Sequence, residues 1–241
     1  MTKSLDYQKK RRYDNVLFDA DDTLLDFKRS EKSAIAEALG SFGLSYDESV
    51  LLEYSAINQS FWKLLELGKI EKSKLKHERF RAFCERFKYD VPYVQLAERY
   101  MKCLSTKSYL IDGAKEICER LSGECKLYII TNGIESIQRP RFSASGLEKY
   151  FSGVFISDLM GYEKPDIRFF ENMEKTIGGI DKKRTLIVGD SLSSDMKGGL
   201  LFGVDTCLFN PRGKDYPEEL NIKYSVSSLD LIENIVFSEN Q

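Results

Sequence analysis

Four short polar clusters carry the side chains with which this sequence could do chemistry: Asp19-Ala20-Asp21-Asp22, Thr131-Asn132-Gly133, Lys164-Pro165 and Gly189-Asp190 through Asp195. Residues two apart on an extended segment project to the same side, so Asp19 and Asp21 can address one small volume while Asp22 points elsewhere. Asp190 and Asp195 supply a second acid pair. Gly189 permits a tight exit from the apolar run before it, and Ser193 or Ser194 is placed to cap a following helix, whose amide end favours negative charge. If Asp19, Asp21, Asp190 and Asp195 converge, unit charges about 4 Å apart repel by roughly 4 kcal/mol per pair at an effective dielectric of about 20. Such a cluster needs a cation. Oxygen-only ligands select a hard divalent ion, and few protein ligands with retained water select Mg²⁺ over calcium. Thr131 offers a hydroxyl, and the Asn132 and Gly133 amides can donate to an anion. Pro165 disfavours helical geometry at Lys164 and holds its ammonium ahead of a helix. An Asp-rich turn or a helix cap accounts for any one cluster alone; four of them, in this order, point to a shared site for a divalent ion and an anion.

The elements needed to assemble such a site are legible around the clusters. Val16-Leu17-Phe18 reads as a buried strand running into Asp19. After Asp112-Gly113, apolar strands at Leu127 to Ile130, Val154 to Ile156, Thr185 to Val188 and Val204 to Phe209 alternate with helices, including Ala114 to Leu121, Glu135 to Ser143 and Ile167 to Ile177. That alternation predicts an α/β fold with a doubly wound parallel sheet and right-handed crossovers. In such sheets ligands bind beyond the carboxyl ends of the strands, which is where the polar clusters fall.

Between Ser30 and about Thr106 the pattern is helical instead. Ala34, Ile35, Ala38, Leu39 and Phe42 mark one apolar face, Ile57, Phe61, Leu64 and Leu65 another, Leu75, Arg79-Phe80 and Phe83 a third. Breaks at Gly40 to Gly43, Gly68 and Asp90 to Pro92 predict an inserted block of about four helices. Lys63 to Lys88, with nine basic and four acidic residues, reads as a solvated helix face, and Lys9 to Arg12 as a solvated tail. Ser238 to Gln241 reads as a frayed end.

Composition closes off other chemistries. The 36 basic and 38 acidic residues leave a net charge of −2, so no global positive field attracts a nucleic acid polymer or an anionic membrane. No apolar run approaches the roughly 18 residues of a membrane span, and none of signal-peptide length follows the basic N-terminus, which predicts a cytoplasmic protein. The five cysteines are scattered without a Cys-x-x-Cys pair, and none has Arg six positions on, which removes disulfide frameworks, zinc knuckles and the cysteine phosphate loop. One histidine, His77, cannot build a histidine-rich metal site. A hydrolase here must run on carboxylates.

Phe18-Asp19-Ala20-Asp21-Asp22-Thr23-Leu24, Ile130-Thr131-Asn132-Gly133, Glu163-Lys164-Pro165-Asp166 and Gly189-Asp190-Ser191 through Asp195 resemble, in order, the four motifs of the haloacid dehalogenase superfamily. Within it, the Asp-Ala-Asp-Asp-Thr form, Asn132-Gly133, the insert residues Asn58, Trp62, Gly68, Ile70, Leu75 and Arg79-Phe80, and the tail Tyr224 to Leu229 are similar to bacterial pyrimidine 5′-nucleotidases. The resemblance implies a Rossmann-like core over residues 1–26 and 108–241 and a helical type 1 cap over 27–107. It also implies a Mg²⁺-dependent phosphomonoesterase with Asp19 as nucleophile, and Asp21 as the acid that protonates the leaving alkoxide and then as the base for water. Asp19, Asp190 and the Asp21 main-chain carbonyl would hold the metal, Asp195 would support the metal shell or Lys164, and Thr131, Asn132 and Lys164 would bind phosphate. A dehalogenase of this superfamily needs neither metal nor an acid at position 21.

Selectivity for the leaving group belongs, on this resemblance, to the cap, with Asn58, Trp62 and Arg79 as candidate contacts to base or sugar; Trp62 as cap core and a solvated Arg79 are the alternatives. The partner expected is a small phosphomonoester, most simply a pyrimidine nucleoside monophosphate. The same chemistry on a sugar phosphate or phosphoglycolate, a mutase, and a receiver-like phosphorylatable signalling protein are the competing readings.

Overall fold

In the computed structural model, which describes residues 10–238, the chain divides into two compact units. One takes the described chain up to Leu25, Leu110–Asn132 and the part from Leu147 onward; the other takes Asp26–Tyr109 and Gly133–Gly146. Lys9 of the basic tract and residues 239–241 of the expected frayed end lie outside the described residues.

The first unit is built on a six-stranded parallel sheet. Its strands are β2 (Asn15–Phe18), β3 (Lys126–Thr131), β4 (Gly153–Ile156), β5 (Thr185–Gly189), β6 (Asp205–Phe209) and β7 (Tyr224–Val226), in the order β4-β3-β2-β5-β6-β7. Two-residue strands β1 (Lys10–Arg11) and β8 (Phe237–Ser238) pair antiparallel beside it. Helices α5 (Ala114–Ser122), α7 (Ser157–Met160), α8 (Ile167–Ile177), α9 (Lys197–Phe202) and α10 (Leu231–Val236) connect or follow the strands.

Every residue of β2 and β5 is buried, and their continuous apolar runs are what a parallel strand with both faces covered requires. Leu17, Ile130, Ile187 and Leu208 of the sheet join Phe169, Phe170 and Met173 of α8 and Phe202 of α9 in one apolar cluster. Phe18 lies opposite Ile129 of β3 and Val188 of β5, so the chain leaves β2 between these two neighbours. The strand order reverses direction at β2. That makes the carboxyl end of β2 the topological switch point, where open α/β sheets bind ligands.

The second unit is helical: α1 (Phe27–Ser41), α2 (Glu48–Glu66), α3 (Lys72–Phe87), α4 (Tyr93–Ser105) and α6 (Glu135–Ser145). Asp26 caps α1 by accepting from the Arg29 amide, and Asp47 caps α2 by accepting from that of Val50. Ala34, Ile35, Ala38, Leu39, Phe80 and Phe83, apolar face positions in the sequence, are buried in one cluster with Tyr54 and Tyr100. Ile134 and Ile137 belong to the same cluster, which is why Gly133–Gly146 groups with these helices, whereas the sequence reading places it in the core.

Arg79 departs from the solvated face expected for Lys63 to Lys88. It is 2% exposed, lies 5.3 Å from the ring centres of both Phe80 and Tyr100, and donates to Asn58 Oδ1. All five cysteines are buried and unbridged. Among the described residues, no helix is long and apolar enough to cross a membrane.

Candidate active site

Asp19 is the first residue beyond β2. Its amide donates to Val188 O at 2.8 Å, which extends the β5 pairing one step and fixes where its carboxylate starts. The next turn is tight: Leu24 and Leu25 donate to Ala20 O at 2.9 and 2.8 Å, Asp22 donates to Leu25 O at 2.7 Å, and Asp22 adopts φ 59°. Asp tolerates that left-handed conformation better than most residues. The turn returns the chain onto itself so that Thr23, fully buried, reaches Asp19 Oδ2 with its hydroxyl at 3.4 Å. Asp21 is half-buried within this turn and bridges to Leu25.

Lys164 reaches the same point from the loop between α7 and α8. It is 1% exposed, and its ammonium donates to Asp19 Oδ1 at 2.7 Å, to Asp195 Oδ1 at 2.5 Å and to Ile130 O at 2.7 Å. Three N–H groups meet three acceptors, so the buried charge is fully satisfied. The Lys164–Pro165 peptide is cis, and α8 starts two residues after Pro165, capped by the Asp166 carboxylate on the Arg168 amide.

Asp195 is completely buried in the π-helical turn Leu192–Met196 that follows β5. Its second oxygen accepts from the Ser191 amide at 3.2 Å. The cap of this turn is Ser191, whose hydroxyl accepts from the Ser194 amide, rather than Ser193 or Ser194. A side chain at Gly189 would put a Cβ 2.3 Å from Asp195 Oδ2, so only glycine leaves room for Asp195 against the end of β5.

Ligand oxygens of Asp19, Asp190 and Asp195 lie within 4.8 Å of one another. Burial is the main influence raising the Asp19 carboxyl well above the ordinary aspartate value; Lys164 opposes it, and Asp195 and Asp190 add to it. For Lys164 burial is again the largest influence and lowers the value, but Asp19 and Asp195 together outweigh it and hold the ammonium above the ordinary lysine value. One ammonium facing three acids leaves an excess of negative charge. An all-oxygen, acid-rich donor set of this size fits a hard divalent cation.

Thr131 closes β3 and is 1% exposed. Asn132, the next residue, has both polar side-chain atoms engaged: Nδ2 donates to Lys164 O, and Oδ1 accepts from Lys164 N, each at 2.8 Å. The structure thus brings Asp19, Asp190, Asp195, Lys164 and, through the Lys164 main chain, Asn132 to the switch-point end of the sheet.

The chain resembles known proteins over most of its length. Residues 13–203 match the haloacid dehalogenase-like hydrolase family. The chain belongs to this family. It is 36% identical over 217 residues to pyrimidine 5′-nucleotidase PynA of Streptococcus pneumoniae, covering 90% of this chain and 92% of that one. It is 34% identical over 230 residues to the HAD-hydrolase YfnB of Bacillus subtilis, covering 95% and 98%. A crystal structure of YfnB bound to magnesium superposes with a TM-score of 0.89 over 94% of this chain and 99% of that one. Pyrimidine 5′-nucleotidase YjjG of Escherichia coli is 29% identical over 225 residues, covering 93% and 98%.

The remaining sequence candidates lie in the helical unit of this hydrolase. Asn58 is 2% exposed on α2; its Nδ2 donates to Glu31 Oε1 at 2.6 Å while its Oδ1 accepts from Arg79. Ser55 donates to the other Glu31 oxygen at 2.6 Å. Asn58 therefore joins a buried glutamate to a buried arginine. Trp62 is half-buried near the end of α2. Sequence reasoning passed over Glu31 and Thr23. Thr23 follows Asp19 by four residues, a spacing that only the tight turn makes meaningful, whereas Glu31 stands three and four residues before Ala34 and Ile35 on the apolar face of α1, a helical spacing that could have marked its burial.

Proposed function

We propose that the chain is a Mg²⁺-dependent phosphomonoesterase that works through an aspartyl phosphate on Asp19, with pyrimidine nucleoside 5′-monophosphates as substrates. The observation that carries the reading is the convergence of Asp19, Asp190, Asp195 and Lys164 on one buried volume beside β2. Family membership supports hydrolysis, and the names of PynA and YjjG support the substrate class.

In this reading Asp19 attacks phosphorus in line, one carboxylate oxygen forming the P–O bond of an acyl phosphate as the bond from phosphorus to the nucleoside oxygen breaks. Asp21 gives that oxygen its proton, then accepts one from the water that hydrolyses the acyl phosphate, a role worth about 10²-fold to 10⁴-fold in rate. Lys164 has no spare N–H while it holds Asp19, Asp195 and Ile130 O. As Asp19 is phosphorylated its negative charge passes to the phosphoryl oxygens, and the ammonium can transfer one hydrogen bond to one of them. The Thr131 hydroxyl and the Asn132 amide provide further donors.

Asp19 and Asp190, with the Asp21 main-chain carbonyl, would hold the metal, and Asp195 would position Lys164. When bound, the ion offsets the repulsion between carboxylate and phosphate and orients the phosphoryl oxygens. Residues 27–107 act as the cap in this proposal, with leaving-group selectivity in Asn58, Trp62 and Arg79. Trp62, half-buried, has surface to offer a ligand, whereas Asn58 and Arg79 are buried in the interior of the helical unit. The test is phosphate release from UMP, dUMP and dTMP against a panel of sugar phosphates. Turnover of a sugar phosphate with none of the nucleotides would replace the nucleotidase reading with its competitor.

A further inference from the structure

We infer that Asn132 is a positioning residue for Lys164: its side-chain amide clamps the lysine main chain, and through it fixes the ammonium against Asp19. The inference rests on the proposed phosphatase reading for its kinetic consequence, but not for its geometry.

The last rung between β3 and β4 is Thr131 with Ile156. Beyond it β4 turns away into α7, and the lysine arrives eight residues later, in the loop before the Asp166 cap. A loop residue has no ladder partner of its own. Asn132 supplies one, because its Nδ2 donates to Lys164 O and its Oδ1 accepts from Lys164 N, both at 2.8 Å. The side chain thus imitates a strand rung one residue past the end of the sheet. A primary amide suits this task because it presents a donor and an acceptor side by side. Aspartate keeps the acceptor but turns a second oxygen toward Lys164 O, and alanine offers neither.

The clamp matters because Lys164 has a narrow target. Its three ammonium hydrogens meet Asp19, Asp195 and Ile130 O, from three different segments. Displacement of the main chain by about 1 Å would stretch at least one of these bonds, and displacements of that size cost about 10²-fold in rate when they reach the reacting groups. The same contacts withdraw the Asn132 side chain from direct phosphate binding, leaving its main-chain N–H for that role.

The experiment uses the full chain with Asn132→Ala and Asn132→Asp, each checked by its melting curve, in two measurements. In ¹⁵N-lysine-labelled protein, the Lys164 ammonium signal is identified by its loss in Lys164→Met. The clamp predicts that this signal shifts or broadens in both Asn132 variants; an unchanged signal overturns the inference whether or not the protein turns over any substrate. In phosphate release, kcat is expected to fall about 10-fold to 100-fold, and by a larger factor than KM rises. A KM increase larger than the kcat loss overturns the inference in favour of direct phosphate binding. If wild type releases no phosphate, the functional reading fails while the spectroscopic arm still decides the clamp. Should Asn132→Ala not fold, Asn132→Asp carries both measurements.

Discussion

Lys164 Nζ stands 2.7 Å from Asp19 Oδ1 across 145 residues of chain, and 2.5 Å from Asp195 Oδ1. Its positive charge is what allows two buried carboxylates to approach one another. Replacing it with methionine removes the cation and leaves both acids facing each other in a low-dielectric site. In chelator, Lys164→Met should lose about 3–5 kcal/mol of stability, the range for breaking a buried ion pair on one side. Saturating Mg²⁺ should restore part of that loss. Denaturant titrations with and without the ion check both statements, and a variant as stable as wild type in chelator would contradict them.

Gly189 sets the space for Asp195. A methyl group there would start 2.3 Å from Asp195 Oδ2, and the carboxylate would have to move off the Ser191 amide, off Lys164, or both. Gly189→Ala should cost about 1–3 kcal/mol, as overpacking does. It should also lower kcat, because Asp195 holds the ammonium that faces Asp19. A crystal structure of the variant with Asp195 undisplaced, or unchanged kcat, would refute this.

Three of the four polar clusters were readable because each closes or directly follows an apolar strand, and a parallel sheet gathers strand ends whatever lies between them; Lys164 comes eight residues after β4, beyond α7, and only Pro165 marks it in the sequence. The same rule gave the helical insert by contrast, since Ala34, Ile35, Ala38 and Leu39 keep a helical period that no strand has. What stayed hidden depends on folding back at short range or on burial. Ser191 caps its turn, rather than Ser193 or Ser194, because the segment after β5 forms a π turn that starts earlier than an α-helix would. Strand β7 spans only Tyr224–Val226, too short for periodicity to register. Arg79 sits in a basic run and reads as solvated, yet Asn58 and two aromatic rings enclose it. Asn132 reads as a phosphate ligand from its position, while its side chain is engaged by a residue 32 positions on.

The Asn58 contacts make a stability claim about the helical unit. Asn58→Ala would strip Glu31 of one donor and Arg79 of its acceptor, both in the interior. Hydrogen bonds to charged groups are worth about 1.5–3 kcal/mol, so a loss of about 2–3 kcal/mol is expected, measured by chemical denaturation. A loss below about 0.5 kcal/mol would show that the network is dispensable.

Asp19 gives a pH dependence with a definite sign. Its carboxyl is raised by burial and by Asp195 and Asp190, so ionising it costs the folded state more than the unfolded one. The penalty is absent below the unfolded value of about 3.9, grows as pH rises, and is complete above the raised folded value. In chelator Asp19→Asn escapes it and should melt about 2–4 °C above wild type at neutral pH, a shift equivalent to about 1 kcal/mol for a chain of this size. The advantage should vanish near pH 4. Equal melting temperatures at neutral pH, or an advantage that grows on acidification, would contradict the assigned direction.

The most direct test of the whole account is phosphate release from UMP, dUMP and dTMP by wild type and Asp19→Asn, each with Mg²⁺ and with chelator. The account predicts turnover only by wild type with the ion, and a loss of at least about 10³-fold in Asp19→Asn, as expected when a covalent nucleophile is removed. Undiminished turnover by a folded Asp19→Asn protein would contradict it.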